Sequence, residues 1–376
     1  MPSIDPEDSR FPVLCLSSLP LECVATQLMC RDIFQFSTVS KDCFDAIKDA
    51  VRINPNNRTN RLSINLSGDK YQLTLNADGF SSGNGEGEAI EWQFNGTWNR
   101  RRRWNVELYS GSQPKTLMFR EKSRGRYVTA SNSVEELLQL AEHIANLFRA
   151  HTKRITISAE NCRYLPIIHR VPVLQQTRRL VIGEGLVSHD TMLQVLTGFQ
   201  SNCKSLWIQC NVEPNSHSNC QLQLQFNGPI LTEEIYISDG SWFTAQLFHT
   251  FNGNRLILRD CILTNSDLNK FLRNWKASDR RWTPNLQLNR LWNRGIGFGH
   301  DHVIDPELQR RWNQERWDVG KIIKGLRDIR HVPAHPLAES NFYVFQRQTD
   351  GMKLSLQITS ENFAAMISMM FRYDSN

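Results

Sequence analysis

No part of this 376-residue chain is apolar for long. The longest nearly apolar run, Phe363 to Phe371, carries Ser368 in its middle and falls well short of the roughly 20 residues that a membrane-spanning helix needs, so no membrane partner is expected. An export signal is missing too. Met1-Pro2-Ser3-Ile4-Asp5-Pro6-Glu7-Asp8 is acidic and broken by proline where a secretory signal would be basic and then continuously apolar, so a cytoplasmic and/or nuclear location is expected. The nine cysteines, at positions 15, 23, 30, 43, 162, 203, 210, 220 and 261, include no Cys-x-x-Cys pair and are odd in number. That excludes a zinc ribbon and argues against a disulfide framework, leaving reduced thiols as the expectation.

Catalytic motifs are also lacking. There is no Gly-x-Ser-x-Gly, no His-Glu-x-x-His, no complete phosphate loop and no complete dinucleotide fingerprint. Gly295-Ile296-Gly297-Phe298-Gly299 has the wrong spacing for the last of these, and Ser81-Ser82-Gly83-Asn84-Gly85-Glu86-Gly87 reads as a hairpin tip. His300 and His302 flank Asp301, while Pro333 separates His331 from His335 and spoils a shared helical face for a metal. No catalytic residue, metal ligand or cofactor is therefore assigned, and a non-enzyme is expected.

What is present is the composition of a folded protein, 40% hydrophobic and 22% charged, with a net charge of +6 unevenly spread. Arg100 to Arg103 form one block, and Arg280-Arg281-Trp282, Arg310-Arg311-Trp312 and Arg316-Trp317 repeat an arginine–tryptophan pairing. Such interleaving can hold a nucleic-acid backbone while stacking a base, which gives an alternative reading as an RNA- or DNA-binding module. The reading preferred here is that guanidinium groups stack on surface tryptophans and hold loops, so that nucleic acid is not the partner.

Along the chain, Leu19, Val24, Leu28, Ile33, Phe36, Val39, Phe44 and Ile47 recur at three- to five-residue steps, which predicts short helices over residues 11–52. Pro20 suits a first helical turn and Asp32 a helix N-cap. The turn-forming run Asn54-Pro55-Asn56-Asn57 closes this module. The period then becomes two. Leu62, Ile64 and Leu66, then Tyr71, Leu73 and Leu75, then Ile90, Trp92 and Phe94 alternate with polar residues, predicting a β-rich segment over 60–132. Ser133 with Glu136 forms a capping-box pattern ahead of Val134, Leu137, Leu138, Ala141, Ile144, Ala145 and Phe148, predicting a helix over 134–149.

Beyond it, phrases of the form Leu-x-Ile recur at 155–157, 180–182, 206–208, 235–237, 256–258 and 286–288, spaced 21 to 30 residues apart. Helix-compatible segments lie between them, after the candidate caps Asp190 and Thr264. One strand and one helix per unit is the pattern of an irregular leucine-rich-repeat-like solenoid over 133–376, because a single unit cannot bury its own apolar face. An ordinary α/β domain with crossover helices is the alternative. In such a strand the two aliphatic residues face the core and the middle one points away. The opposite, concave face would then include Thr156, Val181, Trp207, Tyr236, Ile257, Arg259 and Gln287, a surface suited to a protein substrate. Strands around Phe342 to Phe345 and Leu354 to Ile358, followed by a helix after Ser360, would form a closing hairpin-plus-helix cap. The fold class is thus α/β.

Residues 11–50 resemble an F-box. Phe11-Pro12, Leu16, Leu19-Pro20-Leu21-Glu22-Cys23-Val24, Leu28, Asp32-Ile33-Phe34-Gln35-Phe36-Ser37-Thr38-Val39-Ser40-Lys41 and Phe44 follow the family pattern, with Cys30-Arg31 and Cys43 as mild departures. The region from Trp242 to about Trp292, with Leu256-Ile257-Leu258, Leu263-Thr264-Asn265-Ser266-Asp267-Leu268-Asn269, Phe271-Leu272 and Trp275, resembles the F-box-associated region of the large nematode F-box family. The resemblance implies a Skp-type adaptor as partner, and through it a cullin-RING scaffold. Leu16, Leu19, Pro20, Val24, Leu28, Ile33 and Val39 would be the adaptor-binding residues, with Phe36 and Phe44 holding the module together. A segment of about 40 residues buries too little apolar surface to stand alone, which agrees with a partner. The implied role is a non-catalytic substrate receptor of a ubiquitin ligase, holding a protein substrate of unknown identity.

Overall fold

The computed structural model describes residues 23–24, 28–53, 60–69, 71–81, 87–94, 104–109, 115–123, 125–198, 203–213, 230, 232–277, 285–291, 317–327, 329–332, 341–346, 352–361 and 364–372. The chain is mixed α/β with a large mixed sheet, and divides into two units, 1–181 and 182–376. The boundary expected at 132/133 falls inside the first unit.

The described helices of the first unit include α1 (Cys30–Ser37) and α2 (Lys41–Ile53). Cys30, Ile33, Phe34 and Ser37 recur at three- and four-residue steps and are all buried, forming the stripe by which α1 docks. Asp32 is not its N-cap. The helix begins two residues earlier, after Met29, and the Asp32 carboxylate is held instead by the Arg31 guanidinium at 3.2 and 3.3 Å. Ser40 Oγ accepts the Cys43 amide at 3.1 Å and caps α2.

The sheet of this unit runs β8 (Arg179–Ile182), β7 (His151–Ile157), β1 (Asn60–Leu66), β2 (Gln72–Ser81), β3 (Gly87–Gln93), β6 (Arg126–Val128), β5 (Lys115–Ser123), β4 (Trp104–Leu108). Strands β1, β2 and β3 pair antiparallel, whereas β7 joins β1 and β6 joins β3 in parallel. The alternating residues Leu62, Ile64, Leu66, Leu73, Leu75, Ile90, Trp92 and Phe94 are all essentially inaccessible. Gly68 takes φ +66° in the turn between β1 and β2, where a side chain would be strained.

Helix α3 (Val134–Phe148) packs against β1, β2 and β4 and also against α1 and α2. Ser133 caps it by accepting the Glu136 amide at 3.2 Å. The reciprocal half of the expected box is replaced, since the Ser133 amide donates to Ser131 Oγ at 3.1 Å. Leu140, His143 and Leu147 are buried along with the predicted face, so α3 is enclosed nearly all round.

In the second unit, β10 (Ser205–Ile208), β12 (Glu234–Ile237), β13 (Arg255–Leu258) and β14 (Asn285–Leu291) are consecutive parallel neighbours. The sheet continues antiparallel through β18 (Ala364–Arg372), β17 (Lys353–Glu361), β16 (Asn341–Gln346) and β15 (Ile329–Val332). Two short strands, β9 (Leu186–Val187) and β11 (Asn211–Val212), pair with each other in parallel as a separate sheet. Each Leu-x-Ile phrase read from the sequence lies in a strand. Helices α6 (His189–Gly198), α7 (Ala245–Thr250) and α8 (Asn265–Ala277) lie between them, with the short helices α4 (Leu165–Arg170) and α5 (Pro172–Gln175) in the first unit. The Thr264–Asp267 capping box forms in full at α8: each residue's amide donates to the other's side chain, at 2.8 and 3.2 Å. At α6 the cap is Ser188, whose Oγ accepts the Thr191 amide, and not Asp190. The segment 317–327, with α9 (Val319–Ile322), is strapped along α8 by Asn269 and Arg273, which donate to the carbonyls of Ile322 and Lys324.

The helix expected after Ser360 is strand β18. Ile367 and Met369 are buried while Met366, Ser368 and Met370 are half-buried, a period of two, and β18 is held by ladders to both β14 and β17. A continuous apolar run of this length suits a central strand as well as a helix, and two waiting partners decide it.

Candidate interaction surfaces

Five large hydrophobic side chains are exposed among the described residues, and three of them lie between positions 24 and 39: Val24 at 37%, Met29 at 38% and Val39 at 55%. Leu28 beside them is half-buried. Ile33, expected on the same surface, is 1% exposed and belongs to the docking stripe of α1, so it packs inward. Leu16, Leu19 and Pro20 lie outside the described residues.

What anchors this segment is an aromatic cluster that the sequence pattern did not reveal. Phe34, fully buried, meets Trp92 edge-on at 5.0 Å between ring centroids and Tyr127 at 5.6 Å, while Trp92 and Tyr127 stack at 5.8 Å. Phe44 is buried against the His143 ring at 4.7 Å, whereas Phe36 is only half-buried and Phe34 takes the central place. At the rim, Gln35 donates to the Tyr127 hydroxyl at 3.4 Å and Arg31 approaches Glu121 at 3.8 Å. Burial pushes the Tyr127 hydroxyl well above its ordinary range.

His143 joins three elements. The Tyr109 amide donates to its Nδ1 at 3.1 Å, so Nδ1 is unprotonated and the ring proton sits on Nε2. Nε2 then donates to Ser37 Oγ at 3.3 Å, and Ser37 donates to the Phe34 carbonyl at 2.7 Å. Burial holds the imidazole pKa down at about 3, and the chain of donors explains why charging it is unfavourable, since a protonated Nδ1 cannot accept from Tyr109. The Ser–His pair has no access to a substrate: both side chains are fully buried. It is a structural link between α1, α3 and the end of β4.

In the second unit, pairing register places Trp207, Tyr236, Ile257 and Gln287 in one row across β10, β12, β13 and β14, continued by Ser368 on β18 and Gln357 on β17. Their strand neighbours Leu206, Ile208, Ile235, Ile237, Leu256, Leu258, Leu286 and Leu288 are fully buried on the other face. The row residues themselves are half-buried. Trp207 and Tyr236 meet at 5.2 Å with a 35° tilt, and the Arg259 guanidinium lies 5.3 Å over the Tyr236 ring. Of the remaining expected face residues, Thr156 is half-buried in the first unit, and Val181 is 2% exposed, so it packs inward and offers no binding surface.

The glycine-rich tip at 82–86, Arg100 to Arg103, Arg280 to Trp282, Arg310 to Trp312, the Gly295–Gly299 run, His300, His302 and His335 lie outside the described residues. Trp317 is 8% exposed, so this member of the arginine–tryptophan pairs is a core residue and not a surface platform. Among the described residues no group of histidine, cysteine or acidic side chains could hold a metal ion, no disulfide forms, and no helix is long and apolar enough to cross a membrane. Burial raises the Cys162 thiol to about 12, which leaves it inert at neutral pH. Comparison with protein-family models, with curated proteins and with solved structures finds no match for this chain.

Proposed function

We propose that the chain is a non-catalytic substrate-recognition subunit of a Skp–cullin–F-box-type ubiquitin ligase, acting in the cytoplasm or nucleus. The N-terminal helical segment docks on the Skp-type adaptor, and the C-terminal strand–helix units, read as irregular leucine-rich-repeat-like repeats, hold a protein substrate. The observation that carries this reading is the concentration of exposed apolar side chains, Val24, Met29 and Val39, on the segment whose residues follow the F-box pattern. Contiguous exposed apolar patches mark interaction sites, and three such side chains within one short segment support that reading here. The same segment is anchored through Phe34, Phe44 and the His143 link, so a partner held there is held by the whole first unit. The contribution to ubiquitin transfer is proximity, which supplies several kcal/mol through effective concentration alone.

Co-expression with a Skp-type adaptor, followed by capture on the adaptor, tests this. The native chain is expected to be retained, and a Val24→Asp, Val39→Asp variant and a Leu19→Ala, Pro20→Ala variant to be lost while keeping the native circular-dichroism melt. No capture of the native chain, or equal capture of all three, rejects the reading.

A further inference from the structure

We infer that the sheet face of the second unit that carries Trp207, Tyr236 and Ile257 binds an extended acidic peptide, whose carboxylates or phosphates are gripped by Arg255 and Arg259 while an intervening side chain rests on Ile257. This deepens the substrate-receptor reading by naming the class of substrate.

Arg255 opens β13 and Arg259 follows directly after its last residue, Leu258; at about 3.3 Å per extended residue the four steps set them roughly 13 Å apart, with Ile257 between them. Both are exposed, and among the described residues neither has a carboxylate within ion-pair distance. On the four parallel strands the described charged side chains of this face are Arg255 and its register partner Glu234, and Arg259 just past β13 adds a second positive charge, so the face is net basic by one charge and fits an anionic ligand. Arg259 is also pre-positioned. Its amide donates to the Ile237 carbonyl at 2.9 Å, its carbonyl accepts from Gly240 at 2.6 Å, and its guanidinium lies on the Tyr236 ring. A guanidinium held over an aromatic ring by cation–π attraction keeps N–H groups for a two-pronged grip on carboxylate or phosphate. Gly240 allows the close approach that fixes this arrangement, because a Cβ there would sit 2.9 Å from the Arg259 carbonyl oxygen.

The same residue types could suggest a nucleic-acid platform, but their geometry disfavours it. Base stacking needs an uncovered ring face. The Tyr236 ring is flanked by Trp207 on one neighbouring strand and covered by Arg259 from the other, and the Trp207 indole N–H is engaged by Ser205 Oγ at 2.9 Å. Ring edges, the Ile257 side chain and two guanidinium forks suit a peptide.

The test uses the full chain without any adaptor, so failure here and failure of adaptor docking are read separately. Fluorescence anisotropy is measured with a labelled peptide carrying two Glu four positions apart around a central Val, with the phosphoserine and Gln analogues of that peptide, and with a poly-U oligonucleotide. One or both anionic peptides are expected to bind, with the Gln analogue weaker by about tenfold or more. Arg255→Gln and Arg259→Gln should each cost about tenfold, Tyr236→Leu should weaken binding, and Tyr236→Phe should restore it, since the ring and not the hydroxyl seats Arg259. Which of the two anionic peptides binds better identifies the anion. The inference is overturned if neither binds at about 1 mM, if the Gln analogue binds equally, if both arginine variants bind like the native chain, or if poly-U binds at least as tightly as the peptides.

Discussion

Replacing His143 by Gln should make the first unit less sensitive to acid, even though it weakens that unit at neutral pH. In the folded chain the imidazole has a pKa near 3, against an ordinary value of 6.5. A group whose folded pKa is depressed is protonated in the unfolded chain first. Below about pH 6.5 the unfolded state takes up a proton that the folded state refuses, and stability falls as pH falls until about pH 3 is reached. With 1.36 kcal/mol per pKa unit, this group removes about 2 kcal/mol of stability between pH 7 and pH 5. The neutral amide of Gln has no such term. Its own cost, from lost packing against Phe44 and imperfect hydrogen bonds to Tyr109 and Ser37, is about 1–3 kcal/mol and does not vary with pH in this range. A urea series read by hydrogen exchange of peptides covering residues 134–148 reports this unit by itself, at pH 7 and pH 5. The native chain should lose about 2 kcal/mol more than the variant between the two pH values. Equal losses in the two proteins would show that His143 does not titrate as its surroundings require, and would refute the donor chain from Tyr109 through His143 to Ser37.

Phe34→Ala removes the ring on which Trp92 and Tyr127 meet, and a fully buried phenylalanine of this kind costs about 3–5 kcal/mol, read as a lowered urea midpoint in the same exchange experiment. Gly253→Ala would drive a Cβ into the Thr232 carbonyl oxygen and set it 2.7 Å from the Phe251 ring, so the backbone must move; a loss of about 1–3 kcal/mol is expected, measured as a fall in thermal midpoint, and an unchanged midpoint would contradict the packing at that turn.

Much of the fold was legible because periodicity reports burial directly. The period-two residues of β1, β2 and β3 and the apolar face of α3 are buried where alternation and three-to-four spacing placed them. The recurring Leu-x-Ile phrases mark strands for the same reason. Periodicity failed where an apolar run had no gaps, as in β18, because the choice between helix and strand there is made by β14 and β17, far away in sequence. It also misjudged side-chain direction at Ile33 and Val181. Each has the chemistry of a contact residue, and only the placement of α1 and β8 against other elements turns them inward. The Trp207–Tyr236–Arg259 cluster was half legible: alternation put all three on one face, but the stacking depends on strand register, which no local pattern encodes. His143 gave no signal beyond sitting in a helix that is apolar nearly all round. Its role comes from a donor and an acceptor 34 and 106 positions away.

The way α1 and α2 sit on the first unit bears on how such a chain can be inherited and rearranged. A module attached by a linker can be exchanged between genes without regard to the remainder of the chain. Here Phe34, Phe44 and Ser37 complete an interior whose other walls are Trp92, Tyr127 and His143, separated from them by dozens of residues. A recombination event that replaced residues 30–53 alone would leave those walls facing an ill-fitting neighbour. The two parts are therefore expected to change together, substitution answering substitution, and sequences related to this one should show paired variation between positions 34, 37 and 44 and positions 92, 127 and 143.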